Sequence, residues 1–211
     1  MEYKWLNKGI VPNNKIIIFF NGWGMDDSIV KHLNVENFDI LMFYDYNSLK
    51  TDFLFETLEN YKERYLISWS MGVMVGSIFA KKLLPITKSV AINGTLLPIN
   101  SDYGIHPKIY DLTIKGFNEQ GKEKFIKSMF DTEDLQNEQI NINRSLENQH
   151  RELIALKEYL ADKDFHYDKA IISDSDKIIP TKSQVAYWNA EPNFKSGHCP
   201  FFKIKKWSDL L

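Results

Sequence analysis

Five short apolar runs recur along the chain, and within each run the apolar residues follow one another without polar alternation. A run of this kind and length is typical of a strand buried on both faces of a parallel sheet, because neither face of such a strand meets water. The predicted strands are KIIIFF (15–20), DILMFY (39–44), RYLIS (64–68), SVAING (89–94) and KAIISD (169–174).

The segments between these strands carry residues in helical patterns. Strands that alternate with helices predict an α/β fold, in which a mostly parallel sheet has helices on both of its faces. The predicted helices cover residues 26–34, 52–61, 71–84, 181–189 and 200–210.

One long segment, from Leu97 to Asp168, interrupts this alternation. It is polar and contains amphipathic helical patterns such as KEKFIKSMF and RELIALKEYL. It is either an ordinary run of surface helices or a helical lid over the carboxyl edge of the sheet. We favour the lid, because a parallel sheet usually hosts its site at that edge. We therefore expect one domain, residues 1–211, with a helical lid insertion at 97–168.

Composition narrows the classes of function. The chain has 211 residues, 44% of them hydrophobic and 14% aromatic, as in a globular domain with a sizeable core. The formal net charge of -2 gives no support for nucleic-acid binding. The apolar runs are too short to span a bilayer and the first residues lack a signal-peptide core, so we expect a soluble, cytoplasmic protein with no membrane partner. The single cysteine, Cys199, excludes an intrachain disulfide.

The stretch YLISWSMGVMVG (65–76) is the first candidate for chemistry. A buried strand ends there at Ser70 and a helix follows, with the small residues Ser68 and Gly72 two positions to either side. A nucleophile elbow, Gly-x-Ser-x-Gly between a strand and a helix, needs small residues at these places because strand and helix would otherwise collide. Ser70 is therefore a candidate nucleophile; alternatively, it only caps the helix that begins near Met71.

The stretch IIIFFNGWGMD (16–26) runs from a buried strand into the tetrapeptide NGWG. A serine hydrolase stabilises its oxyanion with two backbone N–H groups, one from the residue after the nucleophile and one from a loop after an early strand. We expect these to be the N–H groups of Met71 and Trp23, and the Trp23 ring could also wall an acyl pocket. The alternative is an Asn-Gly turn followed by a tryptophan that packs in the core.

Two later loops offer an acid and a base. In AIISDSDKIIPTKS (170–183), Asp176 lies just past a predicted strand, where the acid of a catalytic triad belongs, and Asp174 is the second choice. Either aspartate could instead shape a turn or cap a helix. In KSGHCPFF (195–202), His198 lies on a glycine-flanked loop before a proline that can open a final helix, as expected of a general base.

Chain order links these signals. Ser70, Asp176 and His198 follow the α/β-hydrolase order of nucleophile, acid and histidine. Their joint appearance predicts that His198 takes the Ser70 proton while Asp176 holds the His198 tautomer. Cys199 is interpreted as a packing neighbour of the site and not as a nucleophile. The remaining histidines are interpreted as surface or structural residues: His32, His106, His150 and His166.

Three stretches, FFNGWGMD, SWSMGV and SGHCPF, together resemble the pimeloyl-[acyl-carrier protein] methyl ester esterases of biotin synthesis, in their small BioG type. NGWG and GHCPF are similar to the HGWG and GHAPF of the related BioH-type enzymes, and DKIIP is similar to their acid loop, D-x-x-V-P. The resemblance spans nearly the whole chain and is weakest in the predicted lid. Asn21 in place of the usual histidine, and Ser68 in place of the first elbow glycine, depart from the pattern without removing a catalytic group.

The resemblance implies a serine esterase that hydrolyses the methyl ester of pimeloyl-[acyl-carrier protein]. It implies acyl transfer to Ser70 with loss of methanol, then attack by water that His198 activates, with no metal or organic cofactor. An acyl carrier protein is acidic, so basic residues on the insertion could steer it to the pocket. The candidate carrier contacts, which could equally form an ordinary solvated helix face, are Lys122, Lys124, Lys127, Arg144, Arg151 and Lys157.

Two other classes of function stay open at this point. The same triad serves thioesterases and short-chain carboxylesterases, because pocket shape and partner recognition, not the triad, separate them from a methyl esterase. The other alternative is a non-enzymatic binding protein on a hydrolase scaffold. Such a protein would normally have lost a triad residue or blocked the oxyanion loop, and here every member can be assigned.

Overall fold

A computed structural model describes residues 1–9, 14–130 and 141–211 of the chain. Its centre is a sheet with the strand order β1-β3-β2-β4-β5-β6. β1 is antiparallel to β3, and all other neighbours are parallel. The strands are β1 (Glu2–Asn7), β2 (Lys15–Phe20), β3 (Asp39–Tyr44), β4 (Glu63–Trp69), β5 (Lys88–Ile92) and β6 (Lys169–Ile171).

The apolar runs are strands β2 to β6, which confirms the prediction of a mostly parallel sheet. Side chains of β2 alternate between the two faces of the sheet. Ile16, Ile18 and Phe20 enter one core cluster, whereas Ile17 and Phe19 enter the other. Both faces are therefore buried, as expected of parallel strands between two covering layers.

The strands β5 and β6 end before their predicted boundaries, because side-chain amides replace the strand ladder there. The Ser173 N–H donates to Asn93 Oδ1 at 2.8 Å. The Ile172 N–H donates to Asn193 Oδ1 at 2.9 Å. The chain thus leaves the sheet just before the loops that carry the candidate site residues.

The edge strand β1 is absent from the sequence-based prediction. Its residues, EYKWLN, are exposed or half-buried throughout. An edge strand of an otherwise covered sheet lacks the continuous apolar run that marks a central strand, so the criterion that found the other strands could not find this one.

The α-helices are α1 (Met71–Leu83), α2 (Pro107–Gly116), α3 (Glu119–Ser128), α4 (Leu146–Leu156) and α5 (Thr181–Trp188). The helices predicted at 71–84 and 181–189 correspond to α1 and α5. The long helices predicted at 26–34, 52–61 and 200–210 are wrong. Only short 3₁₀ helices occur there, at Asp27–Ile29, Phe55–Asn60, Phe201–Lys203 and Trp207–Leu210.

The C-terminal segment explains one of these errors. Phe201, Ile204, Trp207 and Leu210 are all buried, at every third position. This spacing resembles a helical stripe in the sequence, but here it belongs to two 3₁₀ helices and the extended link between them, which contains Ile204. All four side chains pack in the core cluster on one face of the sheet.

The segment between β5 and β6 contains α2, α3 and α4 and no strand within the described residues. Residues 131–140 of the predicted insertion lie outside the described residues. Leu153 and Leu156 of α4 enter the same core cluster as the apolar face of α1, so the insertion is packed on the sheet domain. None of the helices described is long and apolar enough to cross a membrane.

Candidate active site

Ser70 occupies a sharp turn between β4 and α1. Its backbone has φ 58° and ψ -126°, a conformation that costs a non-glycine residue about 1–3 kcal/mol. Its side chain makes no capping hydrogen bond to α1, which argues against the helix-cap interpretation. A Cβ atom on Gly72 would lie 2.3 Å from the Phe20 carbonyl oxygen, so the position after the turn tolerates only glycine.

The other elbow position, Ser68, is fully buried behind the turn. Its Oγ lies 2.8 Å from the Tyr167 hydroxyl, which in turn lies 2.9 Å from the Val73 carbonyl oxygen. A Cβ atom on Gly76 would lie 2.4 Å from Ser68 Oγ. The larger residue on the strand is therefore accommodated by a glycine on the facing turn of α1.

The structure brings Ser70, His198 and Asp176 together at the carboxyl edge of the sheet. His198 Nε2 is 2.8 Å from Ser70 Oγ, and His198 Nδ1 is 2.7 Å from Asp176 Oδ2. All three are buried, His198 being 1% exposed. The His198 carbonyl oxygen accepts hydrogen bonds from Trp69 Nε1 and Asn93 Nδ2, each at 2.9 Å, which anchors the loop that carries the imidazole.

The two aspartates of the acid loop have different surroundings. Asp176 Oδ1 accepts hydrogen bonds from the N–H groups of Ile178, at 2.8 Å, and Ile179, at 3.1 Å. Asp176 Oδ2 accepts a hydrogen bond from Gln184 Nε2 at 2.8 Å and also faces His198 Nδ1. One oxygen thus shapes the turn, and the other is aimed at the imidazole.

Asp174, the second choice for the acid, is exposed. Its Oδ1 accepts the Ser175 hydroxyl at 3.0 Å and the Ser196 N–H at 3.2 Å. No contact with His198 is present among the described residues, so the geometry favours Asp176.

The residues that carry the expected oxyanion donors, Trp23 and Met71, line the same cavity as Ser70. Within the described part of the chain, neither N–H donates a hydrogen bond, so both are available to a ligand. Trp23, Ser70 and Met71 line a cavity of about 120 Å³. Its other walls come mainly from the helical insertion, as Ile105, Ile109, Tyr110, Thr113, Phe125 and Leu153, and from Lys177 and Ile178 of the acid loop.

Asn21, the residue that departs from the pattern of the resembled family, forms hydrogen bonds within the loop that follows β2 and carries Trp23. It is fully buried; its Oδ1 accepts the Gly22 N–H at 2.8 Å and its Nδ2 donates to the Asp26 carbonyl oxygen at 2.9 Å. The Trp23 ring packs edge-on against Phe125 at a centroid distance of 4.7 Å. Trp23 is thus both a core residue and a wall of the cavity.

The candidate carrier contacts fall into two groups. Arg144 does not fit the expectation of a surface contact, because its side chain is 5% exposed and its Nη1 donates to Glu152 Oε2 at 2.7 Å. Arg151 remains a surface residue, with 63% of its side chain exposed. Lys124 and Lys127 are exposed, Lys157 pairs with Asp111, and Lys122 is half-buried.

The other histidines make no hydrogen bond to the triad within the described residues, whereas Cys199 follows His198 directly in the chain. His32 and His150 each contact a backbone carbonyl oxygen, His106 caps α2, and His166 is exposed. Cys199 is buried in the core cluster of the opposite sheet face. The described residues contain no group of three or more His, Cys, Asp or Glu side chains that could hold a metal ion.

Sequence reasoning missed two polar residues of α4, Gln149 and Glu152, which form hydrogen bonds with Trp23 and Gly24 in the loop that follows β2. Both are buried, and they share the inner face of the helix with Leu153 and Leu156. A signal was present, because 149, 152, 153 and 156 form one helical stripe. Polar residues that continue an apolar stripe indicate a buried polar contact.

A family profile described as "Pimeloyl-ACP methyl esterase BioG" matches residues 1–210. The chain belongs to the BioG family. The crystal structure of BioG from Haemophilus influenzae superposes with a TM-score of 0.87 and 30% identity, covering 100% of this chain and 99% of the other. An uncharacterized protein from Haemophilus influenzae is 32% identical, with coverage of 92% and 93% of the two chains.

A second relative is longer than this BioG family member. The chain is 37% identical over 178 residues to a protein of Bacteroides fragilis named malonyl-[acyl-carrier protein] O-methyltransferase. The match covers 82% of this chain but spans only 36% of that relative.

More distant structures share the fold. An esterase from Thermogutta terrifontis has a TM-score of 0.64 at 13% identity, covering 94% of this chain and 86% of the other. MenH from S. aureus has a TM-score of 0.60 at 14% identity, covering 93% and 89%. The BioG family member therefore has the α/β-hydrolase fold expected from its sequence.

Proposed function

We propose that the protein is a serine esterase that hydrolyses the methyl ester of pimeloyl-[acyl-carrier protein] in biotin synthesis, through an acyl-enzyme on Ser70. The observation that carries the proposal is the hydrogen-bonded series Ser70–His198–Asp176 beside a cavity with two free N–H groups, in a chain of the BioG family. The reaction releases methanol and leaves the carrier with its acyl chain.

The mechanism follows from the hydrogen bonds. Ser70 Oγ attacks the ester carbonyl carbon while His198 Nε2 takes the proton of the Ser70 hydroxyl. Asp176 stabilises the charged imidazole through its hydrogen bond with His198 Nδ1. The tetrahedral intermediate collapses when His198 returns the proton to the departing methoxide. Water then attacks the acyl-enzyme as His198 accepts its proton, and the same histidine protonates Ser70 Oγ as the free carboxyl group leaves.

The oxyanion of both tetrahedral intermediates is stabilised by the N–H groups of Trp23 and Met71. Removal of one such donor typically costs about 2.7–4 kcal/mol of transition-state stabilisation. No metal ion or organic cofactor takes part in these steps. Ser70 supplies the nucleophile, His198 the general base and acid, and the two backbone N–H groups the stabilisation of the oxyanion.

The substrate class is supported by the walls of the cavity. Ile109, Phe125 and Leu153 offer an apolar surface to the methylene chain of a pimeloyl group. The insertion would then act as a lid over the acyl chain, while the carrier stays outside. We propose that the carrier's acidic surface is met by the exposed cations of the insertion, which are Lys124, Lys127, Arg151 and Lys157, without the half-buried Lys122 and the buried Arg144.

The name of the Bacteroides relative supports a carrier-linked ester. O-Methylation of a malonyl group on its carrier forms a methyl ester, and the reaction proposed here would remove such an ester at a later chain length. Because this chain spans 36% of that relative, the link supports only the class of substrate.

The test is a mass spectrum of the pimeloyl-carrier methyl ester after incubation with wild type and with Ser70→Ala. We expect wild type to remove the methyl group while the carrier keeps its acyl chain, and Ser70→Ala to lose turnover by about 10⁶-fold. Release of the acyl chain from the carrier would make the protein a thioesterase instead.

Two further outcomes address the remaining alternatives. Turnover of short-chain esters without turnover of the carrier-linked ester would indicate a general carboxylesterase. A wild-type protein that neither turns over esters nor reacts with a fluorophosphonate at Ser70 would be a binding protein on this scaffold.

A further inference from the structure

We infer that Glu152 and Gln149, on the inner face of α4, are positioning residues that hold the Trp23 N–H in place for the oxyanion. The inference rests on the proposed function. It assigns to the helical insertion a part in assembling the oxyanion site, in addition to covering the cavity.

Glu152 ties two loops of the sheet domain to the insertion. Its Oε2 accepts the Gly24 N–H at 2.9 Å, and its Oε1 accepts the Tyr46 N–H at 2.7 Å. Arg144 Nη1 donates to Oε2 at 2.7 Å and so supplies the counter-charge. A fully buried carboxylate with this set of partners is held in one orientation.

Gln149, one helical turn before Glu152 on α4, forms hydrogen bonds with the loop that carries Trp23 and Gly24. Its Nε2 donates to the Gly24 carbonyl oxygen at 2.7 Å, and its own carbonyl oxygen accepts the Trp23 indole N–H at 2.8 Å. The N–H and C=O of Gly24 and the side chain of Trp23 are therefore all fixed by one stretch of α4.

These contacts control the direction of the Trp23 N–H. On the preceding side, the Gly22 N–H is held by Asn21 Oδ1 at 2.8 Å. On the following side, Gly24 has φ 74°, a left-handed conformation that needs glycine and leaves its peptide groups free to turn unless they are held. With α4 holding Gly24, the Trp23 N–H lies between two anchored peptide groups.

An oxyanion donor must meet the transition state at about 2.7–3.1 Å, and a misplacement of about 1 Å can cost 10²-fold in rate. Loosening Gly24 should therefore reduce the rate of the chemical step. Ground-state binding should be spared, because the acyl chain contacts the cavity walls and not the Glu152 carboxylate.

The first variant is Glu152→Gln, which keeps the shape of the side chain but replaces one acceptor oxygen by a donor. We expect kcat to fall by about 10–100-fold with KM within about 3-fold of wild type. The same substitution in the Ser70→Ala background should leave the affinity for the carrier-linked methyl ester unchanged. A purely structural role would move that affinity together with kcat.

Two further variants separate the positioning effect from a folding defect. Glu152→Gln leaves Arg144 without its buried partner, so Glu152→Gln/Arg144→Gln removes both charges together. Gln149→Ala removes only the side-chain bond to Gly24, and we expect a kcat loss of about 3–10-fold. Glu147→Gln, at a carboxylate in the first turn of the same helix with 81% of its side chain exposed, is the matched control and should keep the wild-type kcat.

Rates are measured on the carrier-linked methyl ester and on a p-nitrophenyl ester, with folding checked by circular dichroism. The inference is overturned if folded Glu152→Gln/Arg144→Gln and Gln149→Ala both keep kcat within twofold of wild type. If wild type hydrolyses only the p-nitrophenyl ester, the substrate assignment fails while the positioning test continues on that ester. If wild type hydrolyses neither ester, the inference falls together with the proposed function.

Discussion

The carboxyl edge of the sheet and the helical insertion differ in how well their sequence determines their chemistry. At the sheet edge, Ser70, Asp176 and His198 come from distant parts of the chain and meet within hydrogen-bond distance. In the insertion, Arg144 and Arg151 look equivalent in sequence, yet the first is buried in an ion pair and the second is exposed.

The difference has a topological origin. Residues that follow parallel strands are delivered to one edge of the sheet whatever the details of packing, so strand prediction is enough to bring them together. The placement of a helix face depends on which neighbour covers it. Arg144 precedes Ser145, the N-cap of α4, so helical periodicity cannot predict its burial. Its burial depends on tertiary partners, chiefly Glu152 and Asp45.

The largest expected effect tests the sheet edge. Asp176→Asn removes the carboxylate that faces His198 Nδ1, and we expect kcat to fall by about 10⁴-fold because the histidine loses its orienting partner. Asp174→Asn is the matched control two residues away; since Asp174 is exposed and does not contact His198, its kcat should stay within about 3-fold of wild type.

Steady-state rates on the methyl ester check both variants, with melting temperatures to verify folding. A large loss in Asp174→Asn together with a small one in Asp176→Asn would reverse the assignment of the acid.

The second effect tests the insertion. Arg144→Gln leaves the buried Glu152 without its counter-charge, and we expect it to lower the free energy of unfolding by about 3–5 kcal/mol. Arg151→Gln, whose side chain is 63% exposed, should change it by less than about 0.5 kcal/mol. Urea unfolding at neutral pH measures both, and equal losses would contradict the burial of Arg144.

The pH dependence of Arg144→Gln sharpens the same comparison. Burial raises the pKa of the Glu152 carboxyl above its ordinary 4.5, and Arg144 together with the N–H groups of Tyr46 and Gly24 opposes this rise. Without Arg144 the folded-state pKa rises further, so the folded protein binds more protons than the unfolded chain above pH 4.5. Stability is then lost as the pH rises, and we expect the deficit of the variant to be larger at pH 8 than at pH 5.

The same contrast explains how much the sequence could predict. Continuous apolar runs identified β2 to β6. Chain order and small flanking residues predicted a triad of Ser70, Asp176 and His198, and the structure places these side chains within hydrogen-bond distance of one another. The edge strand β1 escaped because it has no such run, and the buried 3₁₀ segment at 201–210 imitates a helix in its spacing. Gln149 and Glu152 escaped because their role depends on a loop more than a hundred residues away in the sequence.

The smallest expected effect tests Ser68, which replaces the first glycine of the nucleophile-elbow consensus. Ser68→Gly restores the glycine of the elbow consensus, but it removes a buried hydroxyl bonded to Tyr167 and loosens β4. We expect a loss of about 1–2 kcal/mol in unfolding free energy and no more than a twofold change in kcat, since Ser68 does not contact His198 or the cavity.

Gly76 makes this prediction a double-mutant cycle. Gly76→Ala would place a methyl group 2.4 Å from Ser68 Oγ, so it should be destabilising in wild type. In the Ser68→Gly background that clash is gone, although the Tyr167 hydroxyl, 2.8 Å from the same Cβ, remains. We therefore expect Gly76→Ala to cost about 1 kcal/mol less in the Ser68→Gly background. Additive losses would mean that Tyr167 alone excludes a side chain at position 76, and that the serine on β4 and the glycine on α1 are independent choices.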